Sequence, residues 1–138
     1  MRRVLIVSHG TLAEGIIESA KVILGDFVKA ESCCLKIGMG IDTFETNIKE
    51  IVKNYEVEDE IIVLADLKGG SPYRATISAL SENDLINNSS ILTGVNLPML
   101  INVVMKDKLS EDDINEILSE AKSGIDKFKV QIDDEEDL

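Results

Sequence analysis

The sequence predicts an α/β fold: a doubly wound, mostly parallel sheet of strand order 2-1-3-4 with helices on both faces. Short apolar segments alternate along the chain with segments of helical periodicity, which is typical of strand–helix–strand units. The apolar segments are continuous, as in parallel strands that are covered on both faces. With 138 residues, 44% of them hydrophobic, the chain can bury the core of one domain, which we place at residues 1–132.

The first predicted strand is the apolar segment 4–7, which His9 and Gly10 follow closely. The next residues, Thr11 to Glu14, have the form of a capping box. Apolar residues then recur at helical spacing, and Gly25 is placed to end the helix. The only histidine of the chain is therefore expected between the end of a strand and the start of a helix.

The second strand is predicted within residues 30–37, and glycines end it. Residues 42–45 again have the form of a capping box, which predicts a second helix. The third strand, 61–65, is a continuous apolar segment that ends at Asp66. A glycine loop follows, in which Ser71 suits the cap of a third helix and Pro72 its first position; this helix is expected to reach about residue 80.

A fourth strand is predicted at residues 90–93, and a helix at 99–105. A last helix is expected to begin at Ser110. Its inward-facing residues are predicted to be Ile114, Ile117, Leu118, Ala121, Ile125 and Phe128. Residues 129–132 predict a short C-terminal edge strand, and the acidic residues of 133–138 predict a frayed, solvated tail.

The composition excludes several classes of function. A net charge of −12 argues against nucleic acid and anionic membranes as partners, since both require a basic surface. No apolar segment is long enough for a membrane span, and the N-terminus does not have the form of a signal peptide. The adjacent Cys33 and Cys34 lack the spacing of a zinc site and are poorly placed for a disulfide, so they are expected in a buried strand. These features favour a cytoplasmic protein.

The expected site lies at the carboxyl ends of the first and third strands, where the strand order reverses. A carboxylate such as Asp66 can fix the tautomer of His9 and leave its second ring nitrogen as a base, a ligand or a phosphoryl acceptor. Two predicted helix N-termini, at Gly10–Thr11 and at Gly70–Ser71, suit phosphate binding. The combination favours a phosphoryl acceptor that requires no metal and no organic cofactor.

Three motifs together resemble a known family: Ser-His-Gly at 8–10, Asp-Leu-Lys-Gly-Gly-Ser-Pro at 66–72, and Gly-Val-Asn-Leu-Pro-Met-Leu at 94–100. In order and spacing they are similar to the mannose-type IIA domain of the bacterial phosphoenolpyruvate-dependent sugar phosphotransferase system. The resemblance implies transient phosphorylation by the carrier protein HPr and delivery to a IIB component, which serves the membrane IIC/IID complex. It also implies a homodimer that exchanges the C-terminal strand, here residues 129–132.

The resemblance implies roles for individual residues as well. The active histidine of the family corresponds to His9, its orienting aspartate to Asp66, and its loop serine to Ser71. Some members carry threonine and an aromatic residue after the aspartate, where this chain has Leu67 and Lys68. No IIB domain follows in the sequence, so IIB is expected to be a separate chain.

Other functions are considered from the same residues. A receiver domain phosphorylated on Asp66 would require an acidic pair after the first strand, where this chain has Ser8 and His9. A metal chelatase would require further histidines. A phosphotransferase subunit of dihydroxyacetone kinase shares the fold, but the motifs at 69–72 and 94–99 fit the sugar family better. A regulatory module that reports phosphorylation to a partner stays open, as does the identity of the sugar.

Overall fold

The computed structural model describes residues 1–131, which form a four-stranded sheet and five α-helices within that range. The strands are β1 (Arg2–His9), β2 (Glu31–Leu35), β3 (Glu60–Ala65) and β4 (Ser89–Thr93). The helices are α1 (Leu12–Leu24), α2 (Ile41–Val52), α3 (Ser71–Glu82), α4 (Leu97–Met105) and α5 (Glu111–Ser123). None of the helices in the described part of the chain is long and apolar enough to cross a membrane.

The predicted sheet is confirmed. All neighbouring strands are parallel, and their order is β2-β1-β3-β4. In the register of the sheet, Val7 of β1 lies between Cys33 of β2 and Ala65 of β3. The carboxyl ends of β1 and β3 are therefore adjacent, as the placement of His9 and Asp66 in the sequence predicts.

Alternate residues of the strands pack into two separate apolar layers. Val4 and Ile6 face the layer that contains residues of α1, α4 and α5, whereas Leu5 and Val7 face the layer formed with α2 and α3. This arrangement explains why the strands are continuously apolar. Cys33 and Cys34 are buried on opposite faces as free thiols, and burial raises the pKa of the Cys33 thiol to about 11.

Two predicted capping boxes are not formed. Thr11 makes no capping bond with its side chain, because the Ser8 hydroxyl already accepts the Ala13 N–H at 2.9 Å. At α2, the extended Gly40 is the N-cap instead of Asp42, so the helix begins two residues earlier than predicted and Asp42 lies inside the first turn. A complete capping box is found instead at α5, between Ser110 and Asp113.

The start of α3 is displaced as well, by one residue. Gly70 takes the N-cap position, and Ser71 is the first residue of the helix. Gly70 has the extended backbone that a cap requires, with φ −73° and ψ 167°. Ser71 therefore contributes its amide to the open N-terminus of α3 instead of capping it.

The predicted C-terminal features are only partly within the described residues. Ile125 and Phe128 were expected to face the core, but they are 79% and 85% exposed. Because α5 ends at Ser123, the helical spacing of its apolar residues does not determine which way Ile125 and Phe128 face. Residues 129–131 lie in no strand, whereas Ile132, which completes the predicted strand, and the tail 133–138 lie outside the described residues. A strand requires a hydrogen-bonding neighbour, so the edge strand stays a prediction for an assembly.

The 94–100 motif packs the start of α4 against the end of α5. The Asn96 side chain accepts the Met99 N–H at 2.9 Å and donates to the Ala121 carbonyl at 2.9 Å. A Cβ added to Gly124 would lie 2.9 Å from Pro98, so the end of α5 packs tightly on this motif. The motif is connected to the sheet by the Val95 N–H, which donates to the Ala65 carbonyl at 3.1 Å.

Candidate active site

His9 and Asp66 lie together at the carboxyl edge of the sheet. His9 Nδ1 is 2.9 Å from Asp66 Oδ2, and the same oxygen accepts the main-chain N–H of His9 at 2.8 Å. The other oxygen, Oδ1, accepts the Leu67 N–H at 2.8 Å. Asp66 therefore fixes the main chain and the ring of His9 at the same time.

The surroundings keep Asp66 ionised and His9 accessible. The Asp66 side chain is only 10% exposed, and this burial by itself raises the pKa of its carboxyl group. The hydrogen bonds from the main chain and ring of His9 and from Leu67 outweigh burial, so the pKa lies below its usual range. An ionised carboxylate only accepts hydrogen bonds, so Nδ1 carries the ring proton. In the neutral ring, Nε2 then has the lone pair, on a side chain that is 43% exposed.

Gly70 packs directly against the imidazole. A Cβ at this position would lie 2.9 Å from His9 Cε1, the carbon between the two ring nitrogens. The φ angle of Gly70 is accessible to any residue, so the requirement for glycine here is steric. The preceding Gly69, by contrast, has φ +80° and forms the turn that brings Gly70 to the ring.

The N-terminus of α3 offers polar hydrogens beside this ring. Within residues 1–131, neither the amide nor the hydroxyl of Ser71 makes a hydrogen bond. Pro72 follows at the second helical position, where it needs no hydrogen-bond donor. An N-terminus of this kind carries positive partial charge and is suited to an anion.

The predicted second anion-binding end, at α1, is more fully occupied. The Gly10 amide donates to the Leu35 carbonyl at 2.7 Å, so it is engaged within the fold. Gly10 has φ +60° and forms the turn between His9 and α1. The Thr11 side chain is exposed and makes no capping bond. A role in phosphate binding stays a prediction for both residues.

Ser8 supports the site, although its sequence context gave it no role. Its side chain is fully buried, accepts the Ala13 N–H at 2.9 Å and donates to the Gly10 carbonyl at 3.3 Å. These two bonds span the turn that contains His9. The sequence feature that indicates this role is a small polar residue at the end of an otherwise apolar strand.

The remaining predicted residues lie around the rim. Leu67 and Lys68 are exposed, and neither side chain contacts the His9–Asp66 pair through a hydrogen bond. No group of three or more His, Cys, Asp or Glu side chains within residues 1–131 is placed to hold a metal ion.

Residues 3–122 match the profile of the family described as PTS system fructose IIA component, where PTS denotes the phosphotransferase system. The chain belongs to this family. The fructose-specific EIIA component of Bacillus subtilis (strain 168) is 31% identical over 104 residues, which cover 75% of this chain and 69% of that protein. Family membership makes the chain a IIA component of the sugar phosphotransferase system and supports a transferase role.

Two further comparisons concern length and fold. The mannose-specific EIIAB component of Escherichia coli (strain K12) is 24% identical over 102 residues, which cover 74% of this chain but 31% of that protein. The mannose/sorbose-specific IIA subunit from Enterococcus faecalis superposes with a TM-score of 0.84 at 21% identity, covering 95% of this chain and 97% of the other. This likeness shows that the α/β fold of the IIA component extends over nearly the whole chain.

Replacing Ser8 with alanine should destabilise the protein by roughly 1–3 kcal/mol, because the buried Ala13 N–H loses its acceptor. The matched control is Thr11→Ala at the formal cap of the same helix, which should change stability by about 0.5 kcal/mol or less. Urea unfolding of both variants measures the difference. Equal losses in the two variants would contradict the capping role of Ser8.

Replacing Gly70 with alanine should displace the His9 ring from Asp66, since the new methyl group would overlap Cε1. The control is Gly40→Ala, because Gly40 is also an extended N-cap but has nothing within 4 Å of an added Cβ. The ¹⁵N shifts of the His9 ring report the tautomer directly. An unchanged ring spectrum in Gly70→Ala would show that the packing argument is wrong.

Proposed function

We propose that this chain is a phosphoryl carrier that accepts phosphate from phospho-HPr on Nε2 of His9 and passes it to a IIB component during sugar uptake. The observation that carries the proposal is the 2.9 Å hydrogen bond between His9 Nδ1 and Asp66 Oδ2. It holds the ring proton on Nδ1 and leaves an accessible nucleophile at Nε2. Membership of the IIA family supports the same chemistry.

The step is a direct transfer between two histidines. The Nε2 lone pair attacks the phosphorus of phosphohistidine on HPr, and a new P–N bond forms as the P–N bond to the donor breaks. The donor nitrogen takes the released electron pair. The proton stays on Nδ1, where the Asp66 carboxylate stabilises the positive charge that develops on the ring. Because donor and acceptor are both phosphoramidates, the transfer is nearly balanced and reversible.

The N-terminus of α3 is the proposed binding site for the transferred group. The Ser71 amide and hydroxyl are unpaired within residues 1–131 and supply hydrogen bonds to phosphoryl oxygens. Gly70 permits close approach to the ring, and Gly10 and Thr11, which directly follow His9, are proposed to contribute from the start of α1. Positioning and charge stabilisation are the main demands of phosphoryl transfer, so the proposal includes no metal and no organic cofactor.

A receiver-type reaction on Asp66 is disfavoured by its contacts. Both carboxylate oxygens accept hydrogen bonds from His9 or Leu67, so Asp66 is used as an anchor. A regulatory role remains compatible with the proposal, since a partner can read the same phosphohistidine. We place the protein in the cytoplasm, where it reaches the membrane IIC/IID complex only through IIB.

Substitutions at His9 and Asp66 test the acceptor directly. With enzyme I, HPr and ³²P-labelled phosphoenolpyruvate, His9→Ala should take up no label, and Asp66→Ala should take it up roughly 10- to 100-fold more slowly because the ring loses its orienting partner. The label in the wild type should survive alkali and be released by acid, as phosphohistidine is. Label on another residue, or an unchanged rate in Asp66→Ala, would contradict the assignment.

We also propose that the chain forms a homodimer through its C-terminal segment. Ile125, Phe128 and Val130 are exposed apolar residues after the end of α5. Within residues 1–131, β4 pairs with β3 alone, so its other edge is open to a further strand. Exchange of the segment between two copies would cover the apolar side chains and pair this edge.

The double substitution Phe128→Lys with Val130→Lys should convert the dimer into a monomer, because charge would replace the apolar face of the exchanged segment. Val22→Lys is the control, since Val22 is equally exposed but lies on α1. Sedimentation equilibrium measures the mass of each variant. A monomeric wild type, or a double variant that stays dimeric, would refute this mode of assembly.

A further inference from the structure

Arg74 brings a positive charge to the loop that touches His9. It lies in the first turn of α3, three residues after Ser71, and its Nη1 donates to the Gly69 carbonyl. Gly69 is joined to Gly70, which packs against the imidazole. The guanidinium is therefore held on the Gly69–Gly70 turn, at the carbonyl that precedes the glycine in contact with the ring.

Phosphorylation of His9 would add negative charge, which requires a nearby positive charge to stabilise it. A phosphoryl group carries about two negative charges near neutral pH, and here it would lie beside the Asp66 carboxylate in a chain of net charge −12. Of the cations near this edge, Lys36 is paired with Glu14 at 3.2 Å. Arg74 makes no ion pair with a carboxylate in the described part of the chain, so its charge is not already neutralised by a partner there.

Ser71 and Arg74 open onto the same groove. Residues three apart share a helix face, and this face of α3 lies opposite the start of α2. The groove has a volume of about 300 Å³, and its lining residues are Ile41, Glu45, Ser71, Arg74, Ala75 and Ser78. The hydroxyl that is proposed to bind phosphate and the guanidinium are thus next to each other along one surface.

We infer that Arg74 contacts the phosphoryl group on His9, through the guanidinium N–H groups that are not bonded to Gly69. The inference rests on the proposed phosphorylation of His9 and adds to it the residue that supplies the positive charge. In phosphoryl transfer the charge spreads over three equatorial oxygens, and the planar fork of arginine matches two such oxygens at once. The bond to Gly69 positions the guanidinium before the donor arrives.

The test compares Arg74→Ala and Arg74→Lys with Lys68→Ala, which removes the exposed cation of the adjacent loop. Each protein is phosphorylated by phospho-HPr and, separately, by the small donor phosphoramidate. Arg74→Ala should react roughly 10-fold or more slowly with both donors, and its equilibrium with phospho-HPr should shift toward the unphosphorylated form. Arg74→Lys should recover part of the rate, because it keeps the charge but not the fork. Lys68→Ala should behave as the wild type.

Several outcomes would overturn the inference. A defect with phospho-HPr but not with phosphoramidate would place Arg74 in docking of the donor protein. A changed His9 ring spectrum in unphosphorylated Arg74→Ala would show that the residue only holds the Gly69–Gly70 turn. If Lys68→Ala reacts slowly and Arg74→Ala reacts at the wild-type rate, then Lys68 and not Arg74 supplies the positive charge. If the wild type itself takes up no label on His9, the proposed function fails, and this result is distinct from a failure that is confined to Arg74.

Discussion

The pairing of β1 with β3 is the constraint on which the site depends. Val7 lies opposite Ala65 in this pair, so the chain segments that follow emerge side by side and bring His9 to Asp66. A slip of one residue would turn every side chain of the strand to the other face of the sheet. Because both faces are filled by apolar residues of the two layers, such a slip would disturb the whole core. The hydrophobic core therefore sets the geometry of a polar site at its edge.

At the site, hydrogen bonds from fixed main-chain N–H groups replace the water that would otherwise solvate the Asp66 carboxylate. Asp66 is largely removed from water, which disfavours its charge, but the amides at the ends of two adjacent strands and the ring of His9 stabilise the ionised form. Ser8, the residue before His9, has a comparable role, since its buried hydroxyl accepts the Ala13 N–H of α1. In both cases a side chain at the end of a strand accepts main-chain N–H groups of neighbouring segments. Asp66 thus holds the ring and main chain of His9, and Ser8 holds the turn that follows it.

The sequence predicts the strands and the His9–Asp66 pair well, because continuous apolar segments and strand-end motifs are local signals that the parallel topology combines. The helix caps are predicted less well, because the residue that caps a helix depends on which hydroxyl the fold places closest to the first N–H groups of that helix. Ser8 replaces Thr11 for this reason. The need for glycine at position 70 arises from contact with a ring 61 residues earlier in the chain. Ile125 was misplaced because a helical spacing of apolar residues does not show where α5 ends.

The double use of one aspartate oxygen, by the main chain and the ring of His9, has a consequence for recognition. Rotation of the imidazole would break its bond to an oxygen that the main-chain N–H of His9 holds in place. Under the function proposed above, the phosphorylated and unphosphorylated forms should therefore present nearly the same backbone to other proteins. The proposed donor and acceptor would then distinguish the two forms by the charge at the surface, and not by a change of shape.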